Sequence, residues 1–228
     1  MKFVMFALIS ILPAAAADVG EVVAKMMQHD SNRQASLKGY TAKRRYTLEN
    51  KTRQASMVVR LTCGQDGSKH FEILEEAGAG SVRKFVFRKM LDEEAAASRP
   101  NLRERSRITP ENYSLRLAGT ELVDQRKTYV IEVTPRSESK YLIAGKVWVD
   151  ADDYAIVRIE GRPAKSLSFW TRSVNFVHTY GKNGDFWFPA SNKSVAEVRI
   201  FGRTETKIEY FEYKAESRSE IATPAGEQ

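Results

Sequence analysis

Apolar and polar residues alternate along most of this chain, which predicts a protein built mainly from β-strands. In residues 40–48, Tyr40, Ala42, Tyr46 and Leu48 share one face, and charged or hydroxyl side chains occupy the other. Arg44 falls on the apolar face, where a charge must reach a partner or lie near an opening. Similar alternation recurs in residues 55–62, 69–75, 112–117 and 127–134. With the later segments, it predicts about nine to eleven strands in two groups.

Two segments show helical spacing instead of alternation. Residues 18–37 begin at a capping Asp18, and one face then carries Val19, Val22, Val23, Met26 and Met27. Between the two strand groups, Val82, Phe85, Val86 and Met90 fit a second helix, with a strand over residues 83–88 as the alternative. Residues 98–109 are polar and basic and contain proline, which favours a loop. We expect one of two roles for the central helix and loop: a plug or lid, or an ordinary covering layer.

The pattern in residues 144–190 predicts an antiparallel meander with turns near residues 151–153 and 181–184. Its strands are apolar on both faces: Val147 and Val149 oppose Trp148, and Trp187 is opposed by its two phenylalanine neighbours. A sheet with one wet face shows a cleaner alternation. Either one face lines an apolar cavity, or both faces are covered by other elements, and the pattern does not separate these readings.

A lysine at position 2 is followed by an apolar run and several alanines, which predicts a cleaved secretory signal over residues 1–17. A retained membrane anchor would need about 20 apolar residues, more than this run supplies. We therefore expect export to the periplasm, one domain over residues 18–213 and a polar tail over residues 214–228. The net charge of +7 allows contact with anionic lipid or an acidic partner, although solvated surfaces explain it equally. Nucleic acid is not an expected partner, because no binding motif is present.

Candidate chemistry is sparse, and we expect neither an enzyme nor a cofactor or metal. The three histidines lack metal-ligand spacing, and no nucleophile, zinc or phosphate-binding motif occurs. His178 is interpreted as a partly buried structural residue, with a ligand or base as the alternative. Cys63 is interpreted as a small buried residue rather than a nucleophile. Residues 150–153 resemble part of a calcium loop, but aspartates also favour plain turns.

The order of elements resembles the outer-membrane lipoprotein-sorting superfamily, which includes the carriers LolA and LolB and the N-terminal domain of the stress sensor RseB. The local similarity lies in residues 145–150 with 154–158, and in residues 186–189 after a glycine-containing turn. The resemblance implies a curved, incompletely closed antiparallel β-barrel with flanking helices as plug or lid. It also implies a cavity for acyl chains of lipoproteins or related lipids. Arg44 is the positional candidate for the carriers' interior arginine, whereas the basic run in residues 99–107 departs from the carriers.

We therefore predict a periplasmic protein that carries or senses lipid or lipoprotein acyl chains, with transient membrane contact. The alternative is a regulatory sensor or adaptor that binds an envelope protein. A hydrolase or isomerase would depend on His178 and nearby carboxylates alone. The expected cavity-lining residues are Tyr40, Arg44, Tyr46, Met57, Val59, Leu61, Trp148, Trp170, Phe176 and Trp187.

Overall fold

The structure, a computed structural model, describes residues 18–166, 171–199 and 202–217. The predicted signal segment, Trp170 and residues 218–228 lie outside these ranges. The described helices are α1 (Val19–Ser36), α2 (Gly80–Val82), a π-helical segment (Arg83–Phe87), α3 (Arg88–Ala97) and α4 (Pro100–Ser106). The described strands are β1 (Leu37–Glu49), β2 (Gln54–Cys63), β3 (Lys69–Gly78), β4 (Tyr113–Val123), β5 (Arg126–Pro135), β6 (Ile143–Asp150), β7 (Ile156–Pro163), β8 (Thr171–Asn183), β9 (Phe186–Val198) and β10 (Gly202–Ser217).

All ten described strands belong to one antiparallel sheet in the order β3-β2-β1-β10-β9-β8-β7-β6-β5-β4. Pairing of β1 with β10 joins the two predicted strand groups into a single surface. The terminal strands of that order, β3 and β4, are not paired with each other in the described part of the chain. The predicted fold class is confirmed: a mainly β protein whose antiparallel sheet is not fully closed and carries helices.

Helix α1 covers one end of the sheet, as its apolar spacing predicted. The Asp18 side chain caps it by accepting a hydrogen bond from the backbone N–H of Glu21 at 3.3 Å. Val22, Val23 and Met26 are buried against strands β4 to β7 in one apolar cluster. The cluster also contains Tyr113, Ile131, Val133, Leu142, Val147 and Val149. Among the described residues, no helix has the length and apolar character needed to cross a membrane.

Residues 80–97 form one continuous helical stretch, here called the plug helix, so the alternative of a strand over residues 83–88 is wrong. Its buried apolar residues are Val82, Phe87 and Leu91; of the predicted face, Val86 and Met90 pack partly buried against them, and Phe85 does not. The reason is the π-helical segment, in which the backbone N–H of Arg88 bonds the carbonyl of Arg83 five residues earlier. A five-residue step places Phe87 under Val82 and leaves Phe85 67% exposed.

Three predicted boundaries differ from the structure. Residues 98–109 contain the short helix α4, which begins with a proline at its first position, where the missing N–H costs nothing. The predicted meander ends at residue 190, whereas strand β9 continues to Val198. Strand β10 continues to Ser217, beyond the predicted start of the tail at residue 214.

Candidate functional site

One row of side chains crosses the face of the sheet that the helices cover, here called the inner face. Cross-strand partners share a face, so the pairing register traces the row from strand to strand. From β4 to β3 it runs Leu117, Ile131, Val147, Ile159, His178, Asn192, Ile208, Tyr46, Met57 and Glu76. Its outer parts belong to the clusters under α1 and the plug helix, while His178 and Asn192 stand between them. The middle of the inner face is therefore polar.

Arg44 lies beside this row and holds the plug helix to the sheet. Its guanidinium forms two hydrogen bonds to the Glu94 carboxylate of α3, Nη1 to Oε2 at 2.6 Å and Nη2 to Oε1 at 3.0 Å. Lys69 of β3 donates to the same carboxylate, Nζ to Oε1 at 2.7 Å. Two parallel bonds from a planar guanidinium make this the strong geometry for an arginine–carboxylate pair. The partner that the buried arginine requires is thus a residue of the plug helix.

The three charges lie at different depths. The side chain of Arg44 is 1% exposed, whereas those of Lys69 and Glu94 are 25% and 31% exposed. The guanidinium stacks on Tyr210, 4.6 Å from the ring centroid, and Nη1 also donates to the Tyr46 hydroxyl at 3.3 Å. The Nε–H of Arg44 has no acceptor among the described residues, and the guanidinium lies behind a carboxylate that is partly exposed to solvent.

These contacts fix the charge states at neutral pH. Burial would raise the pKa of Glu94, but the attraction of Lys69 and Arg44 outweighs it and lowers the pKa to about 2. Burial likewise works against the charged form of Arg44, and the attraction of Glu94 reverses it, so the pKa is raised overall. Glu94 and Arg44 are therefore both ionised at pH 7.

The two halves of the plug helix are held by different contacts. Near its start, Val82 and Phe87 pack into the second apolar cluster. There Glu76 of β3 also accepts hydrogen bonds from Arg83 at 3.4 Å and Arg88 at 2.9 Å. Near its end, Leu91 packs into the same cluster, and the Glu94 carboxylate bonds the two cations of the sheet. Of these contacts, only the one at the end includes an almost fully buried charge, that of Arg44.

The polar middle of the inner face is largely withdrawn from solvent. His178 stacks near Tyr180 and Tyr210, with centroid distances of 4.6 and 6.2 Å. Burial lowers the pKa of His178 to about 4 and raises that of Tyr180 to about 12. Desolvation also raises the pKa values of Tyr210 and Tyr213. Each of these four side chains nevertheless keeps some accessible surface, as expected for groups that line an enclosed space.

Two cavities open beside this middle region. One, the α1 cavity, has about 310 Å³ and lies between α1 and strands β7 and β8, with Met26, Ile159 and Tyr180 in its lining. The other, the Lys69 cavity, has about 360 Å³, and its lining includes Lys69, Glu94, Cys63, Ser98 and Arg103. Ser106 at the end of α4 lines both. Helix α4 therefore lies between two openings to the inner face.

The acidic turn after β6 is structural. Asp150 is fully buried, and its Oδ1 accepts from the backbone N–H groups of Asp152 at 3.0 Å and Asp153 at 2.8 Å. Arg126 donates to both oxygens of the same carboxylate. The described residues contain no group of three or more His, Cys, Asp or Glu side chains arranged to hold a metal ion. Cys63 is a free, buried thiol whose pKa burial raises, which fits a packing role.

The structure separates the predicted cavity residues into two sets. Tyr40, Arg44, Tyr46, Met57, Val59, Leu61 and Phe176 lie on the inner face by register. Trp148 lies on the opposite face, where its indole N–H donates to Glu121 at 2.8 Å, and Trp187 packs near it while also bordering the α1 cavity. Trp170 lies outside the described residues. Ligand contact by any of these side chains stays a prediction.

Sequence reasoning missed Glu94, Lys69 and Tyr210 as members of the site. A signal for Glu94 was present, because it follows the buried Leu91 by three residues and so shares its helix face. A charge on the apolar face of β1 requires a counter-charge, and an acidic residue on that helix face satisfies the requirement. The pairings that involve Lys69 and Tyr210 depend on strand order, which the local pattern does not contain.

Comparison with solved structures gives distant similarities over most of the chain. A DUF1329 family protein from Desulfovibrio piger has 13% identity and a TM-score of 0.46, covering 91% of this chain and 95% of that one. An outer membrane lipoprotein-sorting protein domain from Vibrio parahaemolyticus has 13% identity and a TM-score of 0.44, covering 86% and 93%. A LolA superfamily protein from Nitrosomonas europaea has 10% identity and a TM-score of 0.40, covering 88% and 94%.

No protein-family model and no curated protein matches the sequence. Two of the solved structures carry the names of the superfamily that the sequence resembles. Identities of 10–13% and TM-scores below 0.5 say nothing about ligand or activity, which must come from the residues of this chain.

Proposed function

We propose that this protein binds a hydrophobic ligand, the acyl chain of a lipid or lipoprotein, on the inner face beneath the plug helix. As an exported protein it would carry or sense such chains in envelope lipid or lipoprotein trafficking. The observation that supports this proposal most is the way in which the plug helix is attached to the sheet. The Arg44–Glu94 ion pair joins the C-terminal half of the helix to the sheet, and Glu94 also lines the Lys69 cavity.

A buried ion pair is weak evidence for a stability role, because well-packed apolar residues of similar volume often stabilise a protein equally or better. An ion pair differs from an apolar contact in that charge can break and reform it in one discrete step. Placed where the helix meets the middle of the inner face, it suits a helix that lifts to admit a ligand. The aromatic side chains of Tyr180, Tyr210 and Tyr213 would then provide apolar surface for a chain. Burial of a chain contributes about 0.8 kcal/mol per CH₂ group, so a long chain binds without any catalytic residue.

The first test examines protein purified from the periplasm by native mass spectrometry and lipid extraction, followed by titration of the delipidated protein with a fluorescent fatty acid. We expect a co-purifying lipid or saturable binding. Protein that is both empty and unable to bind the probe would refute the proposal.

A pair of variants tests the location of the ligand. Asn192→Trp places an indole in the middle of the inner face, between His178 and Ile208. Lys193→Trp places the same ring at the next position, where the side chain is exposed and faces the other way. Binding should be lost in the first variant and kept in the second. Equal binding by both would place the ligand elsewhere.

The second candidate function is a regulatory adaptor for an envelope protein. It is favoured by Phe85, a large apolar side chain that is 67% exposed on the outer side of the plug helix. A photo-crosslinking residue at position 85 should capture a stable protein partner in cells if this function holds. Capture of lipoproteins instead, or of nothing, would favour the carrier.

A further inference from the structure

The Lys69 cavity carries a specific chemical preference that an acyl chain alone does not require. Among the charged side chains that line it, Lys69 and Arg103 are cations and Glu94 is the one carboxylate. The guanidinium of Arg44 stands directly behind that carboxylate. Asp66 on the nearby turn is occupied by the backbone N–H of Ser68 at 2.9 Å. The walls of the cavity would therefore present a cluster of cations if Glu94 moved away.

We propose that the ligand is an anionic amphiphile with a carboxylate head group, which enters through the Lys69 cavity and takes the place of Glu94 on Lys69 and Arg44. This inference rests on the proposed function, since the chain of the amphiphile occupies the inner face. In this view Glu94 is a built-in substitute for the head group and keeps the site closed when no ligand is present.

The depth of the three charges supports an exchange at this point. Glu94 and Lys69 are 31% and 25% exposed, so an incoming carboxylate meets them at the cavity without crossing the apolar cluster. Arg44 is 1% exposed and becomes reachable only as Glu94 leaves. A ligand carboxylate can reproduce the two-bond geometry on the guanidinium, which a hydroxyl cannot. Exchange of one carboxylate for another also avoids leaving the buried guanidinium without a counter-charge.

The unused donor of Arg44 supports the same assignment. Its Nε has no acceptor in the described part of the chain, although the side chain is almost completely buried. Buried donors are rarely left without partners, and a bound group is one way to supply the missing acceptor. Glu94 is tied to a helix and satisfies the two terminal nitrogens, whereas a mobile head group can settle nearer to Nε. The exchange would also remove the ion pairs that Glu94 makes with the sheet and so loosen the C-terminal half of the plug helix.

The test compares palmitate with hexadecanol, which share a chain length and differ in the head group. Binding to the delipidated full mature chain is measured by calorimetry at pH 7.5. The natural protein should prefer palmitate by about tenfold or more, the value of a hydrogen bond to a charged group. Glu94→Gln should increase palmitate affinity by removing the internal competitor, and Glu93→Gln, at an exposed neighbouring position, should not change it.

Removing one charge of the pair leaves the other without its partner, so the decisive variant is the double substitution Arg44→Met with Glu94→Met, which leaves no buried charge unpaired. We expect it to bind hexadecanol as the natural protein does and to lose the preference for palmitate. Equal binding of the two amphiphiles by the natural protein, or a preference that survives the double substitution, would overturn the inference and leave the proposed function standing. Failure of both amphiphiles to bind would overturn both.

Discussion

Removing either partner of the Arg44–Glu94 pair should destabilise the protein by unequal amounts. In Glu94→Met, the guanidinium of Arg44 loses both short bonds, at 2.6 and 3.0 Å, and remains 1% exposed. Its remaining neighbours are the Tyr46 hydroxyl and the ring faces of Tyr210 and Phe71. In Arg44→Met, the carboxylate of Glu94 keeps its bond to Lys69 and is partly in contact with water. Leaving Arg44 without its partner should therefore cost more stability than leaving Glu94 without its partner.

The structure sets the magnitudes. An uncompensated buried charge costs about 3–5 kcal/mol, and Glu94→Met should lower the free energy of unfolding by that amount. Arg44→Met leaves a solvated, still-paired carboxylate, so its cost should be about 1–3 kcal/mol. The double variant removes both charges and inserts flexible apolar side chains, so its stability should lie within about 1 kcal/mol of the natural protein, or above it. The two substitutions should therefore be strongly non-additive.

Urea unfolding at pH 7, followed by tryptophan fluorescence, measures all three values. Glu93→Met provides the control at an exposed adjacent position, with an expected change within about 0.5 kcal/mol. A larger loss of unfolding free energy in Arg44→Met than in Glu94→Met would contradict the inference that Arg44 is the more deeply buried charge of the pair. A double variant whose loss equals the sum of the single losses would show that the two residues do not act as a pair.

Three further predictions test other parts of the structure. Burial lowers the pKa of His178 from 6.5 to about 4, so its contribution to stability is complete above pH 6.5 and is lost as the pH falls towards 4, by up to about 3 kcal/mol. Urea unfolding of His178→Phe should lack that dependence, and an unchanged pH profile would contradict the buried neutral imidazole. Phe87→Ala should cost about 3–5 kcal/mol and the exposed Phe85→Ala under about 1, whereas the reverse order would disprove the π-helical segment. Gly145→Ala should lower the free energy of unfolding by more than about 3 kcal/mol, because a Cβ there would overlap the backbone of β7. Gly181→Ala, where a Cβ makes only ordinary contacts, should change it by less than about 1 kcal/mol. Similar thermal unfolding of the two variants would count against the strand register.

Much of the fold follows from the local pattern, because strand alternation and helix spacing record which face is buried. The spacing in α1 predicted its buried face, Val22, Val23 and Met26, and the aspartate that caps it. The same reasoning failed at Phe85, which lies inside the π-helical segment, because apolar spacing alone does not mark such a segment. It failed again at residues 100–106, where a basic composition concealed a short helix.

The candidate site was less accessible to sequence reasoning, for a physical reason. The position of Arg44 on an apolar face predicted a charge that reaches a partner or lies near an opening. Lys69 and Tyr210 come close to it only through the pairing of β1 with β10 and, across β2, with β3. The pairing of Arg44 with Tyr210 spans most of the chain. Such long-range register is fixed by the assembled sheet, and local alternation does not encode which strands become neighbours.

The contrast between the two ends of the plug helix connects the fold with the proposed activity. Val82 and Phe87 anchor the beginning of the helix through apolar contact, which has no dependence on the charge of a passing molecule. Glu94 anchors the end through two cations, and that contact can be exchanged for another carboxylate at little net cost in electrostatic energy. A helix held in these two ways would pivot about its beginning when an anion competes at its end. The region uncovered by that motion contains His178 and Tyr210, the polar and aromatic middle of the inner face. The position of the ion pair thus favours ligand entry from the end of α3 over entry beneath α1, where Met26 packs directly on the sheet.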